Sequence, residues 1–141
     1  MEVVPVSDLV IGSKVFTDRG NTFSNVGVYS DACVFIRGPN NDKNTASTSV
    51  QTTLTVPFPS TIYLDFWGGS KHIDMANSWI GSWSVASGVT PTVYGGWGPG
   101  TVMKRDFDAG KINLMGNNGN GHGTYYAFVC PRGKSLPNTL Q

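Results

Sequence analysis

Nine side-chain carboxylates and two histidines are what this 141-residue chain offers for the commonest acid–base chemistry. Glycoside hydrolysis needs two carboxylates placed across a sugar, and the only glutamate, Glu2, falls in an N-terminal arm. The remaining candidates are Asp65, Asp74 and the pair Asp106 and Asp108. Asp65 lies on the polar face of an extended run, where it meets a sugar or simply water. Asp106 and Asp108 flank Phe107 and read as solubilising a turn. A Ser-His-Asp site would have to recruit His72 or His122, and neither is near a Gly-x-Ser-x-Gly elbow. The expected protein is therefore not an enzyme, with glycoside hydrolase as the lesser alternative.

Cys33 and Cys130 lie in apolar, strand-like runs, where a thiol behaves as a small hydrophobe and is chemically inert. A disulfide between them would close a long loop and imply an oxidising compartment. The opening Met1-Glu2-Val3-Val4-Pro5 lacks the basic and apolar regions of a secretion signal. Two reduced, buried thiols in a protein made in the cytoplasm are thus the expectation. No cofactor is implied. His72, His122 and the cysteines have none of the compact spacings of a zinc site. Oxygen ligands from Asp106, Asp108 and loop asparagines could suit calcium, but they match neither an EF-hand nor a glycine-aspartate repeat. Phosphate-loop and dinucleotide fingerprints are absent from the chain.

What remains for recognition is aromatic side chains on loops. All four tryptophans, Trp67, Trp79, Trp83 and Trp97, fall within 31 residues that are also rich in glycine. Trp83, beside Val85, reads as core; Trp97, between Gly-Gly and Gly-Pro-Gly, reads as exposed. Gly116 to Gly123 holds four glycines and three asparagines, residues that tolerate positive φ and let a backbone come close to a partner. Tyr94, Trp97, Asn117, Asn118 and His122 are accordingly the candidate contact surface for a partner subunit or a glycan. Trp and Tyr supply rigid area with a hydrogen-bonding edge, and asparagine amides both donate and accept.

These loops need a β framework. Fifteen valines against six leucines, with thirteen threonines, favour strands over helices. The clearest alternation runs from Val50 to Val56, with Leu54 and Val56 on one face. Pro57-Phe58-Pro59-Ser60 turns the chain into Thr61 to Trp67, where Ile62, Leu64 and Phe66 share a face. Two alternating strands joined by four turn residues predict an antiparallel hairpin. The runs 32–36 and 124–130 are apolar on both faces, as in strands covered on each side. Nine or ten short strands and no firm helix predict an all-β protein, an antiparallel β-sandwich for which a jelly roll is one possible winding. Residues 1–10 form an arm or edge strand, 11–130 a single domain, and 131–141 an extended tail with two prolines.

Charged residues are only 13% of the chain, against about 25% in a typical domain. Such a surface is kept in water by amides and hydroxyls, and it suits repeated packing against other subunits. The net charge is +1 with scattered Lys and Arg, which excludes the basic stripe of a nucleic-acid binder. No apolar run approaches the ~18 residues of a membrane span. The Thr/Ser/Asn/Gly-rich strands, low charge, Asn117 to Gly123 loop, missing secretion signal and extended ends together resemble small virion proteins of tailed bacteriophages. The decoration proteins, head fibres and tail-tip modules of that group are the point of resemblance. It implies a β-sandwich that docks on a symmetric assembly, with a homo-oligomer and other virion subunits as partners. The alternative is a carbohydrate-binding module or lectin built on Trp97, Tyr94 and the Asn-rich loop.

Overall fold

The computed structural model describes residues 1–67, 73–74, 76–89, 91–94, 100–119 and 124–134. Among the described residues there are ten strands and three short 3-10 helices (Val6–Asp8, Asn40–Asn44 and Ile80–Ser82); the strands are β1 (Glu2–Pro5), β2 (Phe23–Asn25), β3 (Val34–Arg37), β4 (Val50–Val56), β5 (Ser60–Phe66), β6 (Ser84–Val85), β7 (Val93–Tyr94), β8 (Thr101–Phe107), β9 (Gly110–Met115) and β10 (Tyr126–Pro131). Every strand pair is antiparallel. The chain is all-β, as its valine and threonine content requires.

A six-stranded sheet in the order β1-β3-β10-β5-β8-β6 forms the centre, and β2-β7 and β4-β9 form two short ladders. Strand parity assigns two cores to its two faces. Tyr63, Phe35, Phe128 and Tyr126 join Phe16, Phe23 and Tyr94 in one cluster. Ile62, Leu64, Phe66 and Ala127 join Leu54, Val56, Ile112 and Leu114 in the other. The β2-β7 ladder therefore supplies cover on one face and β4-β9 on the opposite one. All seven residues of β5 are buried, which explains why its whole sequence, including Asp65, lies inside.

The expected hairpin between residues 50–56 and 61–67 does not form. β5 pairs with β8 and β10, while β4 pairs with β9. The link Pro57-Phe58-Pro59 does not turn the chain within one sheet; it takes it from one layer to the next. β5, buried on both faces, lies inside the sheet between β8 and β10; β4, with Thr53 and Thr55 exposed on its outer face, serves as cover. Their apolar faces still meet, stacked in one core cluster. Asp108-Ala109 makes the same crossing between β8 and β9. Segments 50–66 and 101–115 are thus one long antiparallel ribbon folded at a corner, with Ser60 opposite Phe107 and Val56 opposite Gly110.

The expectation of two reduced cysteines is also overturned. Val34 pairs with Val129, so the residues one step outward, Cys33 and Cys130, stand opposite each other. They are joined by a disulfide with Cα atoms 4.2 Å apart, at a sequence separation of 97. Both are buried in the first cluster. The apolar surroundings were legible in sequence, but proximity came from the β3-β10 register alone.

The N-terminal segment is tied down rather than free. Glu2 faces Arg37 across β1-β3, and their side chains form an ion pair at 3.0 Å. The lone glutamate thus serves the edge of the sheet.

Candidate interaction surface

Asp65, taken from the sequence as facing sugar or water, is fully buried. Its Oδ2 accepts hydrogen bonds from the Thr92 backbone N–H at 2.8 Å and from the Thr92 hydroxyl at 2.6 Å. The Thr92 oxygen is also 2.5 Å from the Tyr126 hydroxyl. With the single Thr92 proton engaged by the carboxylate, Tyr126 is the donor there. Burial pushes the Asp65 carboxyl up to about 7, against the lowering effect of the two Thr92 bonds. The same burial, with Asp65 as a second cause, raises the Tyr94 and Tyr126 hydroxyls.

Asp106 and Asp108 are held by other partners. The Thr61 hydroxyl donates to Asp106 at 2.6 Å. Four residues of strand separate Thr61 from Asp65, roughly 13 Å at ~3.3 Å per residue, where glycoside hydrolysis uses carboxylates about 5–9.5 Å apart. Asp108 is 95% exposed, beside Arg132. Among the described residues no three His, Cys, Asp or Glu side chains converge as metal ligands.

Of the five residues expected to form a contact surface, Tyr94, Asn117 and Asn118 are described; Trp97 and His122 lie outside the described residues. Tyr94 is 4% exposed, its ring set edge-on against Phe16 and Trp67. It is core, because β7 pairs with β2 as cover for the central sheet. Asn117 is likewise fully buried. The cause is close backbone docking: Gly116 N–H bonds Ser49 O at 2.9 Å, and Asn118 N–H bonds Thr45 O at 2.9 Å. A Cβ on Gly116 would collide with the carbonyls of Thr45 and Ala46. Only Asn118, at φ 50°, combines the expected exposure with the positive φ that asparagine tolerates. Trp67 and Trp83 are core, and the half-buried Trp79 is held by a bond from its indole N–H to Gly116 O at 2.8 Å.

An exposed apolar groove lies elsewhere. A groove of about 370 Å³ runs between β4 and the part of the central sheet that β4-β9 leaves uncovered. Val34, Ile36 and Val129 form its floor, and Leu54 and Val56 form a wall. No charged side chain lines it. Three of its residues are exposed hydrophobics: Met1 at 64%, Val3 at 59% and Phe58 at 47%. Contiguous apolar surface of this kind marks interaction sites on soluble proteins. Consecutive residues Thr53 to Val56 line the groove, although their side chains alternate between faces. It therefore runs along the backbone edge of β4, which among the described residues pairs only with β9. Sequence reasoning missed this site. The available signals were the two-faced apolar pattern at 32–36, which calls for cover on both sides, and Phe58 held between two prolines.

Comparison with protein-family models, with curated proteins and with solved structures gives no match. Among the described residues, no helix is long and apolar enough to cross a membrane.

Proposed function

We propose that this protein is a non-enzymatic structural module that docks on a symmetric assembly, as a decoration, fibre or tail component of a virion does. The observation that carries the reading is the groove along the edge of β4 that pairs with no strand among the described residues, lined by no charged side chain, with Met1, Val3 and Phe58 exposed around it. On this reading the β4-β9 ladder and the central sheet are the walls of a β-sandwich. The folded ribbon of 50–66 and 101–115 is then its winding, in the manner of a jelly roll. The low charge of the surface suits close packing of copies. The Cys33–Cys130 bridge fits a component that persists outside a reducing cytoplasm, as a released particle must. A glycan-binding role has less support, because Tyr94 and Asn117 are buried and offer a sugar no side-chain surface.

The test is size-exclusion chromatography with light scattering. Assembly should give a mass above the 15.1 kDa of one chain. Val3→Glu or Phe58→Glu, each placing a charge on the groove rim, should return the protein to that mass. A monomer at all concentrations whose tryptophan fluorescence is quenched by a sugar would overturn the reading in favour of a lectin.

A further inference from the structure

The groove adjoins a small recess lined by Gly38, Asp42, Gln51 and Thr124, and Ile36 is common to both. Asp42 sets the recess apart, because the groove itself has no charged lining. Its carboxylate lies against Gly38, where a Cβ would stand 3.5 Å from Oδ2. Burial and, second, the charge of Asp18 raise the Asp42 carboxyl, while the N-terminal ammonium lowers it. The raising influences prevail, so the ionised form gains from a cation brought to it. What fits this cleft is therefore apolar at one end and basic at the other.

A described surface of the chain has that composition. Val10 and Ile11 are 61% and 72% exposed, and Ile11 is the most exposed of the described large hydrophobics. They stand at a turn closed from both sides: Ser13 N–H bonds Val10 O and Val10 N–H bonds Ser13 Oγ, each at 3.0 Å. Gly12, at φ 99°, completes it. A turn fixed in this way loses little freedom on docking. Lys14 follows, exposed, its ammonium donating to the Thr17 carbonyl at 3.3 Å. Neither Lys14 nor Asp42 forms an ion pair among the described residues.

Size and spacing agree. A dry cavity of about 150 Å³ takes a benzene ring, so a groove of about 370 Å³ has room for two branched side chains. Ile11 to Lys14 spans at most about 10 Å and Val34 to Gly38 about 13 Å, at ~3.3 Å per residue. The lysine arm covers the difference. The turn does not serve its own groove. Leu9, Val15 and Phe16, on either side of it, belong to the core on one face of the sheet. Leu54 and Val56, the groove wall, belong to the core on the other.

We propose that the Val10–Lys14 turn of one copy docks in the groove of a second copy, with Val10 and Ile11 on its apolar floor and Lys14 paired with Asp42. The proposal rests on the assembly reading above and names the two surfaces that meet.

Light scattering on the full chain tests it, with circular dichroism confirming that each variant keeps the parent fold. Ile11→Asp should return an assembling parent to the mass of one chain. Lys14→Glu and Asp42→Lys should each weaken association about tenfold or more, because like charges then face each other. Combining the two reversals should restore association to within about threefold of the parent. If Asp42→Lys disturbs its own loop, Asp42→Asn keeps the side-chain shape and should still weaken association. Assembly that Ile11→Asp leaves intact, or reversals that do not rescue each other, would overturn this contact while the assembly reading stands. A parent that is monomeric at all concentrations would overturn the assembly reading and the contact with it.

Discussion

Cys33 and Cys130 face each other beside the β3-β10 pairing and are covalently joined, although their sequence separation is 97. The bridge ties the third strand to the last at the bottom of the first core. In the chain-entropy view, closing a loop of that length stabilises the fold by about 4–5 kcal/mol. Thiol titration in denaturant without reductant should therefore find no free groups. A Cys33→Ala/Cys130→Ala protein should be destabilised by up to that amount in urea unfolding. Two titratable thiols in the native protein would contradict the bridge.

Asp65 makes stability depend on pH with a definite sign. Its carboxyl is raised from 3.8 to about 7 in the folded chain. Between those values the folded state keeps a proton that the unfolded state releases, so stability is full near pH 4 and falls as pH rises to about 7. At 1.36 kcal/mol per unit the loss attributable to this group is ~4 kcal/mol. Asp65→Asn, which cannot ionise, should remove this slope. Chemical denaturation of both proteins at pH 4, 5, 6 and 7 reads the difference. A parallel pair of curves would show that the carboxyl stays ionised in the fold.

Leu64 is fully buried where β5 packs against the β4-β9 ladder. Leu64→Ala should cost ~2–5 kcal/mol through lost burial and a residual cavity. The same substitution at Leu54, which belongs to the same core cluster from the facing layer, should cost a comparable amount. The double variant should fall short of the sum, because the two cavities merge. Thermal or urea unfolding of the three variants tests the layered packing, and strict additivity would contradict it.

Gly116 is required by a close approach rather than by a turn. A methyl group there would strike the carbonyls of Thr45 and Ala46. Gly116→Ala should therefore lower stability by ~1–3 kcal/mol, the usual cost of overpacking. It should also expose Trp79, whose indole N–H bonds the Gly116 carbonyl. A red shift and stronger iodide quenching of tryptophan emission are the expected signs. An unchanged emission spectrum would show that the loop yields without disturbing Trp79.

Composition and alternation were enough to determine that this chain is all-β. Valine and threonine content, the period of two at 50–56, and the double-sided apolar runs at 32–36 and 124–130 depend only on neighbours along the chain, so they are legible in it. The union of Leu54 and Val56 with Ile62, Leu64 and Phe66 was legible for the same reason: each set defines an apolar face that must be buried. Which strands pair was not. A strand carries two backbone edges that accept any partner, so local pattern could not choose between β4 beside β5 and β4 stacked upon it. Long-range register made that choice, and with it the Cys33–Cys130 bridge and the burial of Asp65. The expected surface of Tyr94, Asn117 and Asn118 rested on residue types that suit contacts, but type does not settle exposure. Tyr94 became core because β7 covers a sheet, and Asn117 because Gly116 lets two loops touch. The groove along β4 belongs wholly to the tertiary level: it exists because the β4-β9 ladder is narrower than the six-stranded sheet it covers.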